Sequence, residues 1–182
     1  MKLQPMLISA LLTALTLSAT VQAASFTIVD GQTEATTQTL NDNETGTIEA
    51  GGTLSTGAST AVSATGATVT VTNSGSISTT GASARGIYSS GTNASITSSG
   101  SISTAGDGAY GIVSTGADAI ITNSGSISTV GDDAHGIFAP GAYGSISNIA
   151  STRTAGAGPD DHLPTGPPPS TPHTRGRRPL RD

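Results

Sequence analysis

Residues 72–79 read Thr-Asn-Ser-Gly-Ser-Ile-Ser-Thr, and nearly the same eight residues return at 97–104 and again at 122–129. The copies are spaced by 25 residues, and the spacing does not drift. Glycine keeps the same period in four columns. Those columns are Gly75, Gly100 and Gly125; Gly81, Gly106 and Gly131; Gly86, Gly111 and Gly136; and Gly66, Gly91, Gly116 and Gly141. A fixed period of this length predicts a solenoid, in which each repeat buries its apolar face only by stacking on the next.

Each repeat also carries three stripes of β-branched residues, such as Ile77, Ile87 and Ile96 in one copy. Their neighbours are mostly Ser and Thr, which is the alternation typical of half-buried strands. The glycine columns are expected to form the corners, where a positive φ favours glycine. The sequence therefore predicts an all-β fold, a right-handed parallel β-helix of about four 25-residue rungs, with Ile102 stacked between Ile77 and Ile127.

Two further features refine this solenoid. Residues 47–148 form its repeats, and residues 24–46, which open with Phe26-Thr27-Ile28-Val29, look like an atypical terminal rung that caps the N-terminal end. Asn73, Asn123 and Asn148 share one position in their repeats and should form an Asn ladder along the axis, with Ser98 as the exception.

The N-terminal residues 1–23 have the pattern of a secretory signal peptide. Lys2 supplies a positive charge, an apolar run covers 6–19, and Val21-Gln22-Ala23 is a small-x-small cleavage site before Ala24. The apolar run is shorter than the about 20 residues that span a bilayer. We therefore expect export of the chain, which should not insert into a membrane itself.

The C-terminal residues 149–182 change character abruptly. Seven of the nine prolines and five of the six arginines of the whole chain lie there. Such a composition predicts a disordered tail. A shifted reading frame or damaged gene would explain a break in mid-repeat, and a natural basic linker that binds anionic surfaces is the alternative.

Between residues 24 and 148 the chain carries nine Asp or Glu and a single Lys or Arg, Arg85. This acidic balance argues against binding to nucleic acid. The chain has no Cys, so disulfides cannot stabilise it in an oxidising compartment.

Few residues stand out as chemical candidates. Arg85, Tyr110 and His135 occupy equivalent positions in successive repeats and change chemistry in each, so they are expected to face solvent and to line a contact surface. Asp107, Asp132 and Asp133 would lie close together on one corner, where they could hold Ca²⁺ or simply favour a solvated turn. No catalytic residue, metal site or cofactor is predicted.

Four features of the chain belong together: the signal peptide, the opening Ala24 to Gly31, the stretch Gly46 to Leu54, and the Asn-Ser-Gly-Ser-Ile repeats. Together they resemble the start of an autotransporter passenger, a type V secreted protein with a pertactin-like β-helix. In that family of Gram-negative bacteria a C-terminal membrane β-barrel carries the passenger to the cell surface. The 34 residues after Asn148 contain no such strands, which implies an N-terminal fragment that stays in the periplasm, whereas full-length members reach the outer membrane and cell surface.

The expected function is that of an exported structural or adhesin-like module without catalysis, whose partner would be a host receptor or a glycan. A carbohydrate-active β-helix enzyme or a polysaccharide-binding module is the alternative, and a non-functional product of a truncated gene is the second. An enzyme should show long loop insertions and a cluster of unlike charged residues in one cleft, and the repeats show neither pattern.

Overall fold

The computed structural model describes residues 25–156 and, for the backbone alone, 162–164. The predicted signal peptide and most of the predicted tail lie outside these residues. The described chain forms β-strands and no helix, so the predicted all-β solenoid is confirmed.

The strands follow one another in rungs, a rung being one turn of three strands. Rungs 1 and 2 contain β1 (Phe26–Ile28), β2 (Thr33–Glu34), β3 (Gln38–Leu40), β4 (Thr45–Ile48), β5 (Thr53–Gly57) and β6 (Val62–Ala64). Rungs 3 and 4 contain β7 (Thr70–Asn73), β8 (Ser76–Thr79), β9 (Ile87–Ser89), β10 (Ser95–Ser98), β11 (Ser101–Ala105) and β12 (Ile112–Ser114). Rungs 5 and 6 contain β13 (Ile120–Asn123), β14 (Ser126–Val130), β15 (Ile137–Ala139), β16 (Ser145–Asn148), β17 (Thr152–Ala155) and β18 (His162–Pro164).

Stacking of the rungs produces three parallel sheets of six strands, because each strand pairs with the strand three places further along the chain. In the central rungs the pairing joins residues 25 apart, as in Ile77↔Ile102 and Ile102↔Ile127. The predicted position of Ile102 is therefore confirmed. There are more rungs than the expected four, because the N-terminal cap and the residues after Asn148 each contribute strands.

Apolar side chains fill the interior in continuous columns. One column in each sheet consists of Ile or its close substitutes, and its members in rungs 3 to 5, and in two of the sheets also in rung 2, are almost inaccessible to solvent. The columns are Val71, Ile96 and Ile121; Leu54, Ile77, Ile102 and Ile127; and Val62, Ile87, Ile112 and Ile137. Because no single rung encloses its own apolar residues, burial depends on the neighbouring rungs.

Polar columns lie inside the solenoid beside the apolar ones. The Asn73 amide donates to the Ser98 hydroxyl at 3.2 Å, and the Asn123 amide donates to the Asn148 oxygen at 2.9 Å. The predicted Asn ladder, with Ser98 as its exception, is thus present as two linked pairs: among the described residues no side-chain hydrogen bond joins Ser98 to Asn123, and the Oδ1 atoms of Asn73 and Asn123 have no partner. A second column, which was not predicted from the sequence, consists of buried threonines. Their hydroxyls donate hydrogen bonds to a backbone carbonyl in the corner that follows the strand. Thr104 Oγ1 donates to the Ala109 carbonyl at 2.8 Å, and Thr79 makes the same bond to Ala84.

The corners correct one expectation about glycine. The residues with left-handed backbone are mostly not the predicted glycines: one corner uses Asn43, Thr68, Asn93, Asp118 and Tyr143, with φ between 57° and 62°. Gly91 and Gly116 precede two of these residues and have no positive φ. They are needed for another reason: a Cβ on Gly91 would overlap the carbonyl of Gly66, and one on Gly116 that of Gly91. Close approach of successive rungs is therefore what requires glycine there.

The N-terminal end is closed by Phe26, whose column continues through Gly46 and Val71. A Cβ on Gly46 would overlap the Phe26 ring, so this ring occupies the space that larger side chains fill in later rungs. The ring packs against the buried core. Rung 1 thus covers the N-terminal end of the core, as predicted for a cap, and its Phe26 ring also acts as a plug, because it fills the interior space beside Gly46.

The pairing continues past Asn148, where the sequence analysis placed the end of the repeat. Thr152 pairs with Ile127, again 25 residues apart, and β18 pairs with β15. Backbone hydrogen bonds make this pairing, so it does not require the Gly-Ser-Ile consensus. Sequence signals were present: Thr154 matches Thr129, and Gly156 continues the column of Gly131.

Candidate functional site

Arg85, Tyr110 and His135 lie in one column at the corner that precedes β9, β12 and β15. Backbone bonds hold the column together: Gly86 N donates to the Tyr110 carbonyl at 3.0 Å, and Gly111 N donates to the His135 carbonyl at 2.9 Å. The same corner in rung 2 holds Thr60, whose hydroxyl accepts a 3.4 Å bond from the Arg85 backbone N–H. The repeat therefore displays these side chains one rung apart, about 4.8 Å.

Three residues missed by the sequence analysis complete this surface. Tyr88, Val113 and Phe138 are the middle residues of β9, β12 and β15, and they pair with one another in register. Each stands between an inward Ile and an inward small residue. Because side chains alternate between the two faces of a strand, this position could have been assigned to the outer face from the sequence. We refer to Arg85, Tyr88, Tyr110, Val113, His135 and Phe138 as the outer strip.

Aromatic contacts organise the C-terminal half of the outer strip. The Tyr110 ring meets the His135 ring edge-on with centroids 4.9 Å apart, and it meets the Phe138 ring at 5.6 Å. His135 and Phe138 stack at 5.3 Å. Val113 lies between Tyr88 and Phe138 in the sheet and is only 2% exposed, although it points outward. These rings pack at the separations that aromatic pairs favour.

The position of His135 differs from the solvent-facing one expected from the sequence. Its side chain is 7% exposed, whereas Arg85 and Tyr110 are half-buried. The physical reason is the pair of rings that flank it, from Tyr110 in the preceding rung and Phe138 in its own rung. His135 therefore supports the outer strip and offers little surface to a partner.

Arg85 supplies the positive charge of the outer strip. Its guanidinium lies 4.8 Å from the centre of the Tyr88 ring, within the range of a cation–π interaction. Its Nε is buried and has no hydrogen-bond partner. Among the described residues no carboxylate forms an ion pair with Arg85, so its charge is not neutralised within this part of the chain.

Asp107, Asp132 and Asp133 lie at one corner of the solenoid, where a carboxylate accepts a hydrogen bond from the backbone. The Asp107 carboxylate accepts a 3.0 Å bond from the backbone N–H of Asp132 in the next rung, and both residues are exposed. Asp133 has a φ of 55°, a conformation that Asp tolerates better than most residues. Asp42 plays the same bridging part at another corner, where it accepts from Ala67 N at 2.8 Å. These contacts match the interpretation of Asp as a turn residue.

Residues 25–156 and 162–164 contain neither a metal-binding cluster nor a membrane-spanning helix. Nowhere in this part of the chain do three or more His, Asp or Glu side chains come together in a way that could hold a metal ion. None of its elements is a helix long and apolar enough to cross a membrane.

Comparisons with known proteins give no relative from which a function could be transferred. No protein family, no curated protein and no solved structure matches the chain. The function must therefore be argued from the solenoid and its outer strip.

Proposed function

We propose that this chain is an exported structural or adhesin-like β-solenoid of the autotransporter-passenger type, without catalytic activity. The observation that carries the proposal is the stacking of all three sheets in register, at 25 residues per rung in the central region. Such a solenoid is a rigid support whose outer positions can vary without loss of the core, as positions 85, 110 and 135 do. This arrangement suits the display of contact residues.

The sequence at the N-terminus supports the exported part of the proposal, since residues 1–23 have the charge and apolar run of a signal peptide. Expression of the chain in a Gram-negative host, followed by cell fractionation and N-terminal sequencing, tests this. We expect a mature species outside the cytoplasm that begins at Ala24. Leu12→Arg, which places a charge inside the apolar run, is the matched control and should block export. An unprocessed wild-type chain in the cytoplasm would contradict the proposal.

Absence of catalysis is tested with polysaccharide substrates. The purified chain, incubated with polygalacturonate and with starch, should release no reducing ends above the level of a heat-denatured sample. Release that saturates with substrate and is lost on substitution of Asp107 and Asp132 would instead favour a carbohydrate-active enzyme.

A further inference from the structure

The outer strip combines partly buried aromatic rings with a cation that has no carboxylate partner among residues 25–156. Arg85 and Arg153 are the only Lys or Arg residues between positions 25 and 156, against nine Asp and Glu. Arg85 Nε is buried without a partner, so its capacity for further hydrogen bonds lies at the terminal nitrogens of the guanidinium. Those nitrogens form a fork that matches the two oxygens of a carboxylate.

One phenol contacts this cation, and a second belongs to the next rung of the outer strip. Tyr88 lies under the guanidinium, and Tyr110 belongs to the next rung of the same column as Arg85. Within residues 25–156 neither phenol oxygen makes a hydrogen bond to another side chain or to the backbone. Each therefore offers apolar ring surface together with a hydroxyl that can donate or accept.

We propose that the outer strip binds a saccharide that bears a carboxylate, with the carboxylate at Arg85 and sugar hydroxyls at the phenol groups of Tyr88 and Tyr110. This inference rests on the proposed function, because it names the partner of the contact surface. Sugar hydroxyls match the phenols, because both groups can donate and accept hydrogen bonds.

Charge separates this partner from other anions. A single cation on an acidic body attracts one carboxylate at short range, whereas the surrounding Asp and Glu repel ligands with many charges. Nucleic acids, with a charge on every phosphate, are therefore disfavoured. An acidic oligosaccharide and an acidic peptide of equal length carry similar net charges, so the neutral ring hydroxyls, which the two phenols can pair with, are what favours the sugar.

Tyrosine fluorescence reports on the outer strip directly, since the chain has no Trp and two of its three Tyr are Tyr88 and Tyr110. The third, Tyr143, is 76% exposed at a different corner, and Tyr143→Phe removes its background. The full chain with this substitution is titrated with trigalacturonate, with neutral maltotriose and with the acidic peptide triglutamate. We expect a saturable change with trigalacturonate that added salt weakens, and weaker binding of the other two probes.

Two arginine variants locate the site. Arg85→Gln should weaken trigalacturonate binding by about tenfold or more, because a hydrogen-bonded charge is lost. Arg153→Gln, the matched control on β17, should leave the affinity unchanged. Arg85→Lys should retain part of it, because it keeps the charge and loses the fork. Circular dichroism verifies that each variant is folded. If a variant does not fold, the salt dependence of trigalacturonate binding by the chain with Tyr143→Phe alone tests the role of charge in its place.

Several results would overturn the inference: no response to trigalacturonate, an equal response to maltotriose, tighter binding of triglutamate, or equal losses with Arg85→Gln and Arg153→Gln. These outcomes leave the proposed function untouched if the chain is still exported and processed. If the chain were not exported, the proposed function would be refuted, whereas the measured affinity of the purified chain for trigalacturonate would still be valid.

Discussion

Buried hydroxyl groups in the interior are of two kinds. Thr104 Oγ1 donates to the Ala109 carbonyl, whereas Ser89 Oγ and Ser114 Oγ are buried and have no partner. Ala64 and Ala139 occupy the same column as these serines in the flanking rungs. Although these side chains are similarly buried, substitutions should change the free energy of unfolding differently, because only the threonine hydroxyl makes a hydrogen bond.

We therefore expect opposite results from two conservative substitutions. Thr104→Val leaves the Ala109 carbonyl unpaired and should lower the free energy of unfolding by about 1–3 kcal/mol. Ser114→Ala removes an unpaired hydroxyl and should change it by less than about 1 kcal/mol, or raise it. Urea denaturation followed by circular dichroism measures both. Equal losses would show that the two hydroxyls have similar surroundings.

The Ile columns should dominate stability at the level of single side chains. Ile102 is 1% exposed between Ile77 and Ile127, so Ile102→Ala should cost about 2–5 kcal/mol. Ser103 is the next residue on β11 and is exposed, so Ser103→Ala should have little effect. Similar shifts of the urea midpoint for both variants would contradict the assignment of inner and outer faces.

At the scale of the corner, glycine is needed where rungs approach closely. A Cβ on Gly116 would overlap the Gly91 carbonyl, which is backbone and cannot move aside easily. At Gly144 a Cβ would lie 3.4 Å from the Ala119 carbonyl, an ordinary contact, and Ala occupies this position in the two preceding rungs.

Gly116→Ala should thus destabilise the chain by about 1–3 kcal/mol or more, as overpacking does. Gly144→Ala serves as the control and should change stability by less than about 1 kcal/mol. Thermal melts followed at a β-sheet wavelength compare the two variants. If Gly116→Ala melted at the temperature of the unmodified chain, the close approach of the rungs would be refuted.

Features marked by a recurring residue type could be predicted, and features without one could not. The Ile columns and the Asn ladder follow from the 25-residue period, because stacked rungs place equivalent residues in contact. The left-handed residues could not be assigned, since Thr68, Asp118 and Tyr143 share no side-chain chemistry and only their position in the corner unites them. The Phe26 plug depends on the absence of a side chain at Gly46, which a search for repeats overlooks.

The candidate site was predictable only in part for the same reason. Arg85 and Tyr110 stood out because they vary within an otherwise fixed repeat. The packing that buries His135 arises between rungs, from Tyr110 before it and Phe138 beside it, and no single repeat contains that information.

For the whole molecule, the two ends of the described solenoid differ. In the first rung the Phe26 ring fills the space beside Gly46, whereas Tyr143 and Ile149 in the last rung are 76% and 80% exposed. Unpaired strand edges at such an end can pair with further chain.

The central claim is that all rungs stack in register, and spin-label distances test it most directly. The outer column Thr27, Thr47, Thr72, Thr97, Thr122 and Ser147 crosses every rung, and the chain has no native Cys to compete for labels. Labels at Thr27→Cys and Ser147→Cys should give a narrow distribution near 24 Å, five steps of about 4.8 Å. Moving the first label to Thr47→Cys should shorten the mean by about 5 Å. A broad distribution, or a mean that this move leaves unchanged, would contradict the solenoid.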